Sequence, residues 1–129
     1  MSDVAEGSLK ALLRVEKVEA SEVPDVFNLK LVGLEGSTVK RVSLELPKQV
    51  LAFKEGGLVE AEASTTPIAW GEAADLYLSS RLFAIKDEGG GATYYLSAGG
   101  LQLRLVVEGR LLAAKPFDKV YVALKARGS

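Results

Sequence analysis

Apolar and polar residues alternate along most of this chain. Val42, Leu44 and Leu46, for example, are separated by single polar residues. Successive side chains of a β-strand point to opposite faces, so a period of two predicts strands that are buried on one face. The pattern predicts about eight short strands, over residues 9–17, 27–31, 42–46, 59–63, 75–86, 92–97, 101–105 and 120–124.

The segments between these strands have turn chemistry. Residues 87–91 and 98–100 are glycine-rich hairpin connections, and residues 47–53 predict one short helical turn. Residues 64–74 have no period and predict a surface loop. Eight short strands in an open sheet would expose long edges, so the sequence predicts an all-β fold with one antiparallel barrel, closed or nearly closed. A sandwich is the alternative.

The length of 129 residues fits a single domain. Its ends, residues 1–7 and 126–129, are expected to be flexible. Val120–Leu124 is the longest unbroken apolar run and is too short to cross a bilayer. No export signal is evident, so we expect a cytoplasmic protein that does not contact membranes. One Asn, two Gln, one Met and no Cys form a composition typical of organisms that grow at high temperature.

The chain contains neither cysteine nor histidine. Thiol nucleophiles, imidazole acid–base catalysis and the commonest metal ligands are therefore excluded. Glu60 and Glu62 share one strand face, but acids two residues apart on a strand usually keep that face in water. The glycine runs lack the spacing of a phosphate-binding loop. We expect no catalytic residue, no metal and no cofactor.

Single-stranded nucleic acid is a candidate ligand, because small barrels often bind it through aromatic side chains on a basic surface. The overall charge is only −1, but residues 101–129 carry six basic and two acidic side chains. The aromatic residues available for stacking are Tyr77, Tyr94, Tyr95, Tyr121, Phe27 and Phe83. Because Tyr94 and Tyr95 point to opposite faces, at least one of them is expected in the core. The predicted contacts are Tyr95, Tyr121, Arg110, Lys115, Lys119 and Arg127.

A protein partner is the other candidate. Arg104 stands between Leu103 and Leu105 on a predicted strand, and arginine is enriched at protein interfaces. Val106 and Trp70, together with Leu12 and Val32, fall outside the inward pattern and predict an apolar outer patch.

Three segments in the second half, residues 75–83, 95–105 and 118–124, resemble a known family in order and spacing. This is the small barrel subunit shared by eukaryotic nuclear DNA-dependent RNA polymerases and by some archaeal ones. The family pattern Ser-x-Gly-Gly-Leu-x-x-Arg-Leu is matched by Ser97 and by Gly99, Gly100, Leu101, Arg104 and Leu105. The first half fits more loosely. Ser80 stands where the family usually has glycine, and the loop before residue 75 is short, as in the archaeal branch.

The resemblance implies a barrel related to the OB-fold that acts as a non-catalytic assembly subunit of RNA polymerase in transcription and docks on the largest subunit. Its partners would be the other polymerase subunits, and weak binding of single-stranded nucleic acid is left open. The interface residues expected on this hypothesis are Gly99, Gly100, Arg104, Val106 and Trp70. The alternative is a free-standing OB-fold protein that binds single-stranded nucleic acid. An enzyme would need a carboxylate pair in a cleft.

Overall fold

Eight antiparallel strands form from the alternating segments. The structure, a computed structural model, describes residues 7–48, 52–109 and 112–127. The strands are β1 (Ser8–Ala20), β2 (Val26–Gly33), β3 (Val39–Pro47), β4 (Leu58–Ser64), β5 (Leu76–Glu88), β6 (Gly91–Ala98), β7 (Leu101–Glu108) and β8 (Lys119–Ala126).

The strands close into one barrel in the order β1-β2-β3-β7-β6-β5-β8-β4, and β4 pairs back with β1. Every strand has two neighbours, so closure removes the exposed edges that an open sheet would have. The predicted all-β, eight-stranded antiparallel barrel is confirmed. Among the described residues no helix is long and apolar enough to span a membrane.

The barrel interior is a packed core. Inward residues such as Leu13, Leu29 and Leu96 are at most 1% exposed, and Tyr94 is completely buried. A remaining gap lined by residues of β1, β3, β4, β6, β7 and β8 measures about 30 Å³, room for about two water molecules. Among the described residues, side chains thus fill most of the interior, and the groups that are exposed to a ligand lie on the outside of the barrel.

Register shifts occur in three strands: one at the start of β3, between Val39 and Arg41, and two β-bulges that shift the alternation predicted from the sequence. One lies in β1 between Val15 and Lys17, and β1 continues to Ala20. The other lies in β5 between Leu82 and Ala84. A bulge inserts an extra residue and reverses the faces beyond it. Ile85 therefore packs against the core, whereas Phe83, at the bulge, is 45% exposed.

The sequence also made predictions about the loop before β5, the turn after β3 and the two ends of the chain. The loop before β5 contains a short 3-10 turn, Gly71–Ala73. For the helical turn predicted over residues 47–53, Pro47 ends β3, and residues 49–51 lie outside the described residues. At the C-terminal end, which is predicted to be flexible, Ala126 pairs with Val59, and the Arg127 backbone N–H donates to the Leu58 carbonyl at 2.9 Å. Residues 1–6, 128 and 129 lie outside the described residues.

Candidate nucleic-acid interface

Half of the barrel has an outer face without carboxylates. The neighbouring strands β7, β6, β5 and β8 contain no Asp or Glu over residues 76–86, 91–107 and 119–126. The same residues include five cations, Arg81, Lys86, Arg104, Lys119 and Lys125. The acids nearest along the chain stand at or beside the strand ends: Asp75, Asp87, Glu88, Glu108 and Asp118. We call this surface the basic face. Clustered charge of one sign attracts anions and speeds their association.

The first aromatic cluster of the basic face is built around Tyr95. Tyr95 on β6 lies directly across from Arg104 on β7, and the Arg104 guanidinium carbon is 5.3 Å from the Tyr95 ring centroid. The Phe83 ring lies 6.2 Å from the Tyr95 ring at a tilt of 41°. Phe83 lies on the outside because it continues the outward alternation of Tyr77, Ser79 and Arg81. We call Tyr95, Phe83 and Arg104 the Tyr95 cluster.

The second cluster lies on β8 and the start of β5. The Tyr121 ring is 6.2 Å from the Tyr77 ring, and the Lys119 ammonium nitrogen is 6.0 Å from the Tyr121 centroid. We call Tyr121, Tyr77 and Lys119 the Tyr121 cluster. Arg81 connects the two clusters, because it pairs with Ser97 on β6 and with Lys119 on β8. The arrangement presents aromatic rings with adjacent cations, which suits stacked bases and their phosphates.

Tyr77 also fixes the neighbouring loop. Its hydroxyl accepts a hydrogen bond from the Ile68 backbone N–H at 2.9 Å. A Cβ at Gly71 would lie 2.5 Å from the Tyr77 ring, so only glycine permits this close approach. The predicted surface loop is thus held against the barrel, and it borders the basic face without covering the Tyr121 cluster, whose Tyr77 is 37% exposed.

Phe117 is an aromatic residue that the sequence did not indicate. It lies in the turn of residues 115–118, has φ 78° and is 74% exposed. Its backbone N–H donates to the Leu82 carbonyl at 2.6 Å, and its carbonyl accepts from Arg81 Nη1 at 2.8 Å. The turn is therefore attached to β5 beside Phe83. A non-glycine residue in this conformation costs on the order of 1–3 kcal/mol, and such strain is concentrated at functional sites.

Replacing Phe117 with glycine tests whether the strain serves binding. Glycine adopts positive φ freely, so we expect Phe117→Gly to raise the free energy of unfolding by up to about 1 kcal/mol, although glycine also increases the entropy of the unfolded chain. We expect the same variant to bind a single-stranded oligonucleotide more weakly. Denaturant unfolding and fluorescence anisotropy measure the two effects. A variant that binds as tightly as the original protein would remove Phe117 from the interface.

The predicted nucleic-acid contacts divide into two groups. Tyr95, Tyr121 and Lys119 lie on the basic face, and Lys115 is exposed in the turn that carries Phe117. Arg127 is elsewhere: it follows β8, about 20 Å along the strand from Tyr121, and forms an ion pair with Glu60 of β4 at 2.9 Å. Arg110 lies outside the described residues.

The predicted partner-interface residues do not form one patch. Gly99 and Gly100 make the β6–β7 hairpin turn with φ of 58° and 90°. Val106 pairs with Arg41 and Thr93 on the neighbouring strands. The Trp70 indole N–H donates to Glu62 Oε1 at 2.6 Å, and Trp70 lines a separate groove with Leu12. Arg104 belongs to the Tyr95 cluster.

The acid pair of β4 is occupied by local contacts. Glu60 pairs with Arg127, and Glu62 accepts the Trp70 hydrogen bond. Across residues 7–48, 52–109 and 112–127, no three acidic side chains are grouped so that they could hold a metal ion. The arrangement supplies neither a free carboxylate pair on β4 nor a metal centre in the described chain.

The chain was compared with family models, with curated proteins and with solved structures. No family model matches the chain, and no curated protein matches it. A solved structure of ModG, a cytoplasmic molybdate-binding protein crystallised with molybdate bound, is similar with 17% sequence identity and a TM-score of 0.42. The match covers 97% of this chain and 94% of that chain.

The prediction of a structural polymerase subunit finds no support in any of these comparisons and is not carried further. Part of the matched pattern has a structural reason. Gly99 and Gly100 have the positive φ that a tight hairpin requires, and Leu105 is a core residue. Barrel geometry alone thus favours these residues. The family resemblance itself is not tested by these comparisons and stays a prediction.

Proposed function

We propose that this chain is a free-standing OB-type barrel that binds single-stranded nucleic acid across the basic face. The observation that carries the proposal is the coincidence, on four neighbouring strands, of exposed aromatic rings, adjacent cations and a stretch without carboxylates between the strand ends. We further propose that it acts in the cytoplasm and without catalysis. The absence of histidine and cysteine and the local pairing of Glu60 and Glu62 support the latter.

The rings favour a single strand over a duplex. Bases in a duplex are stacked on each other, so their faces are closed to protein side chains. Unpaired bases can stack on Tyr, Phe or an Arg guanidinium, and each such contact contributes about 1–3 kcal/mol. The basic face has no helix that would enter a groove of B-form DNA.

The cations set the strength and the salt dependence of binding. Lys86 is paired with Glu88 at 3.4 Å, and Lys125 donates to the Ala73 carbonyl at 2.9 Å. Arg81, Arg104 and Lys119 have no carboxylate partner among the described residues. A few phosphate contacts give modest affinity that falls with added salt.

A salt-dependent titration tests the proposal. We expect a fluorescein-labelled 12-nucleotide DNA strand to bind, with the logarithm of the affinity falling linearly with that of the salt concentration. Lys119→Ala should lower the magnitude of this slope by about 0.7, because one phosphate contact is lost. Lys10→Ala, an equal charge change on β1, is the control and should leave the slope unaltered. Absence of salt-sensitive binding near micromolar concentrations would refute the proposed function.

A further inference from the structure

A polar groove borders the Tyr95 cluster on the side of β3. It has a volume of about 210 Å³, and Tyr95 and Arg104 form one wall. Register brings its polar residues together: Asn28 pairs with Glu45, Ser43 pairs with Arg104, and Gln102 follows on β7. Pockets for drug-sized ligands measure about 300–1,000 Å³. This groove is smaller and suits a single ring system.

Several polar groups of the groove are without partners. The side chains of Asn28, Ser43 and Gln102 make no hydrogen bond to any described residue. Glu45 Oε1 accepts the Gln102 backbone N–H at 3.0 Å, while its Oε2 makes no hydrogen bond within the described chain. These groups are half-buried or exposed and can bond to a ligand. A groove with open amide, hydroxyl and carboxylate groups can read the edge of a base.

The charge of Glu45 favours a base over a phosphate in the groove. Its carboxylate stands beside a face otherwise free of carboxylates, and it repels phosphate while accepting N–H donors. A base therefore fits the groove better than the backbone does. The Arg104 guanidinium, already placed over Tyr95, offers a plane on which that base can stack.

On the basis of the proposed function, we infer that this groove binds a guanine base of the strand on the basic face. Guanine presents two adjacent N–H donors, at N1 and N2, which match the two oxygens of one carboxylate. Its O6 and N7 accept hydrogen bonds, and the groove supplies donors from Asn28, Gln102 and Lys30. Uracil and thymine have one ring N–H donor between two carbonyls, and adenine and cytosine have an amino group but no adjacent ring N–H.

The experiment compares labelled 12-nucleotide strands of thymidine with strands in which one central position is guanine, adenine or cytosine. We expect the guanine strand to bind at least about five-fold more tightly than the all-thymidine strand. Glu45→Gln should abolish this preference while binding the all-thymidine strand at least as tightly, since it removes a negative charge. Glu35→Gln, an equal charge change in the β2–β3 turn, is the control and should keep the preference.

The outcomes separate this inference from the proposed function. If no strand binds, the proposed function fails and this inference fails with it. If the all-thymidine strand binds but guanine confers no preference, or if Glu45→Gln keeps the preference, the inference alone is overturned. Thermal unfolding of Glu45→Gln shows whether the variant is folded, and Asn28→Ala, which should reduce the guanine preference, provides a second test if it is not.

Discussion

Replacing Tyr95 with alanine is expected to weaken binding of a single-stranded oligonucleotide by about 5- to 150-fold, the range that corresponds to one lost base stack. The Tyr95 ring is half-buried on the outside of β6, and the Arg104 guanidinium and the Phe83 ring both lie against it. Its removal therefore takes away one stacking surface, and the Arg104 and Phe83 side chains lose the ring against which they pack. Anisotropy titrations at fixed salt measure the change.

The same variant is expected to remain folded. The Tyr95 side chain is not part of the packed interior, so the free energy of unfolding should fall by no more than about 1 kcal/mol. Tyr95→Phe keeps the ring and is the matched control, with affinity close to that of the original protein. An unchanged affinity in Tyr95→Ala would show that the Tyr95 cluster does not contact the strand.

Substitutions of Tyr94, the residue before Tyr95, are expected to lower the stability of the protein and not its affinity for nucleic acid. Tyr94 is completely buried, and its hydroxyl donates to the Leu112 carbonyl at 2.8 Å. Tyr94→Ala leaves a large cavity and should lower the free energy of unfolding by about 3–5 kcal/mol. Tyr94→Phe keeps the ring but leaves the Leu112 carbonyl without this donor, at a cost of about 1–3 kcal/mol. Denaturant unfolding measures both values.

Oligonucleotide binding by Tyr94→Phe is the second measurement, and it separates an effect on stability from an effect on affinity. Under conditions in which Tyr94→Phe is fully folded, it should bind an oligonucleotide as the original protein does, because its side chain does not reach the surface. A loss of affinity without a loss of stability in Tyr94→Phe would contradict the assignment of the two tyrosines to opposite faces of β6.

Much of the fold could be predicted from periodicity. The alternation located all eight strands, and it required that Tyr94 and Tyr95 point to opposite faces, which the structure confirms. The strand order could not be predicted, because pairing of β7 with β3 and of β8 with β4 joins segments that are distant in the chain. The bulge at Leu82–Ala84 also escaped prediction, since one extra residue leaves no mark in an apolar run such as Leu82–Ile85.

The site was predictable only in part. Tyr95, Tyr121 and Lys119 were predicted, and they lie on one face. Charge counted along the chain was misleading: residues 55–88 carry two basic and seven acidic side chains, yet β5, which lies in that range, faces outward without an acid up to Lys86. Phe117 gave no signal, because its exposure and positive φ follow from the turn that attaches it to β5.

Mapping of backbone amide shifts by ¹H–¹⁵N NMR during titration with an unlabelled 12-nucleotide strand tests most directly where nucleic acid binds. We predict that perturbations are concentrated on the basic face, at residues such as Phe83, Tyr95, Arg104, Lys119 and Tyr121. Perturbations centred instead on the groove of Trp70 and Leu12, or no perturbation at concentrations well above micromolar, would contradict the proposal.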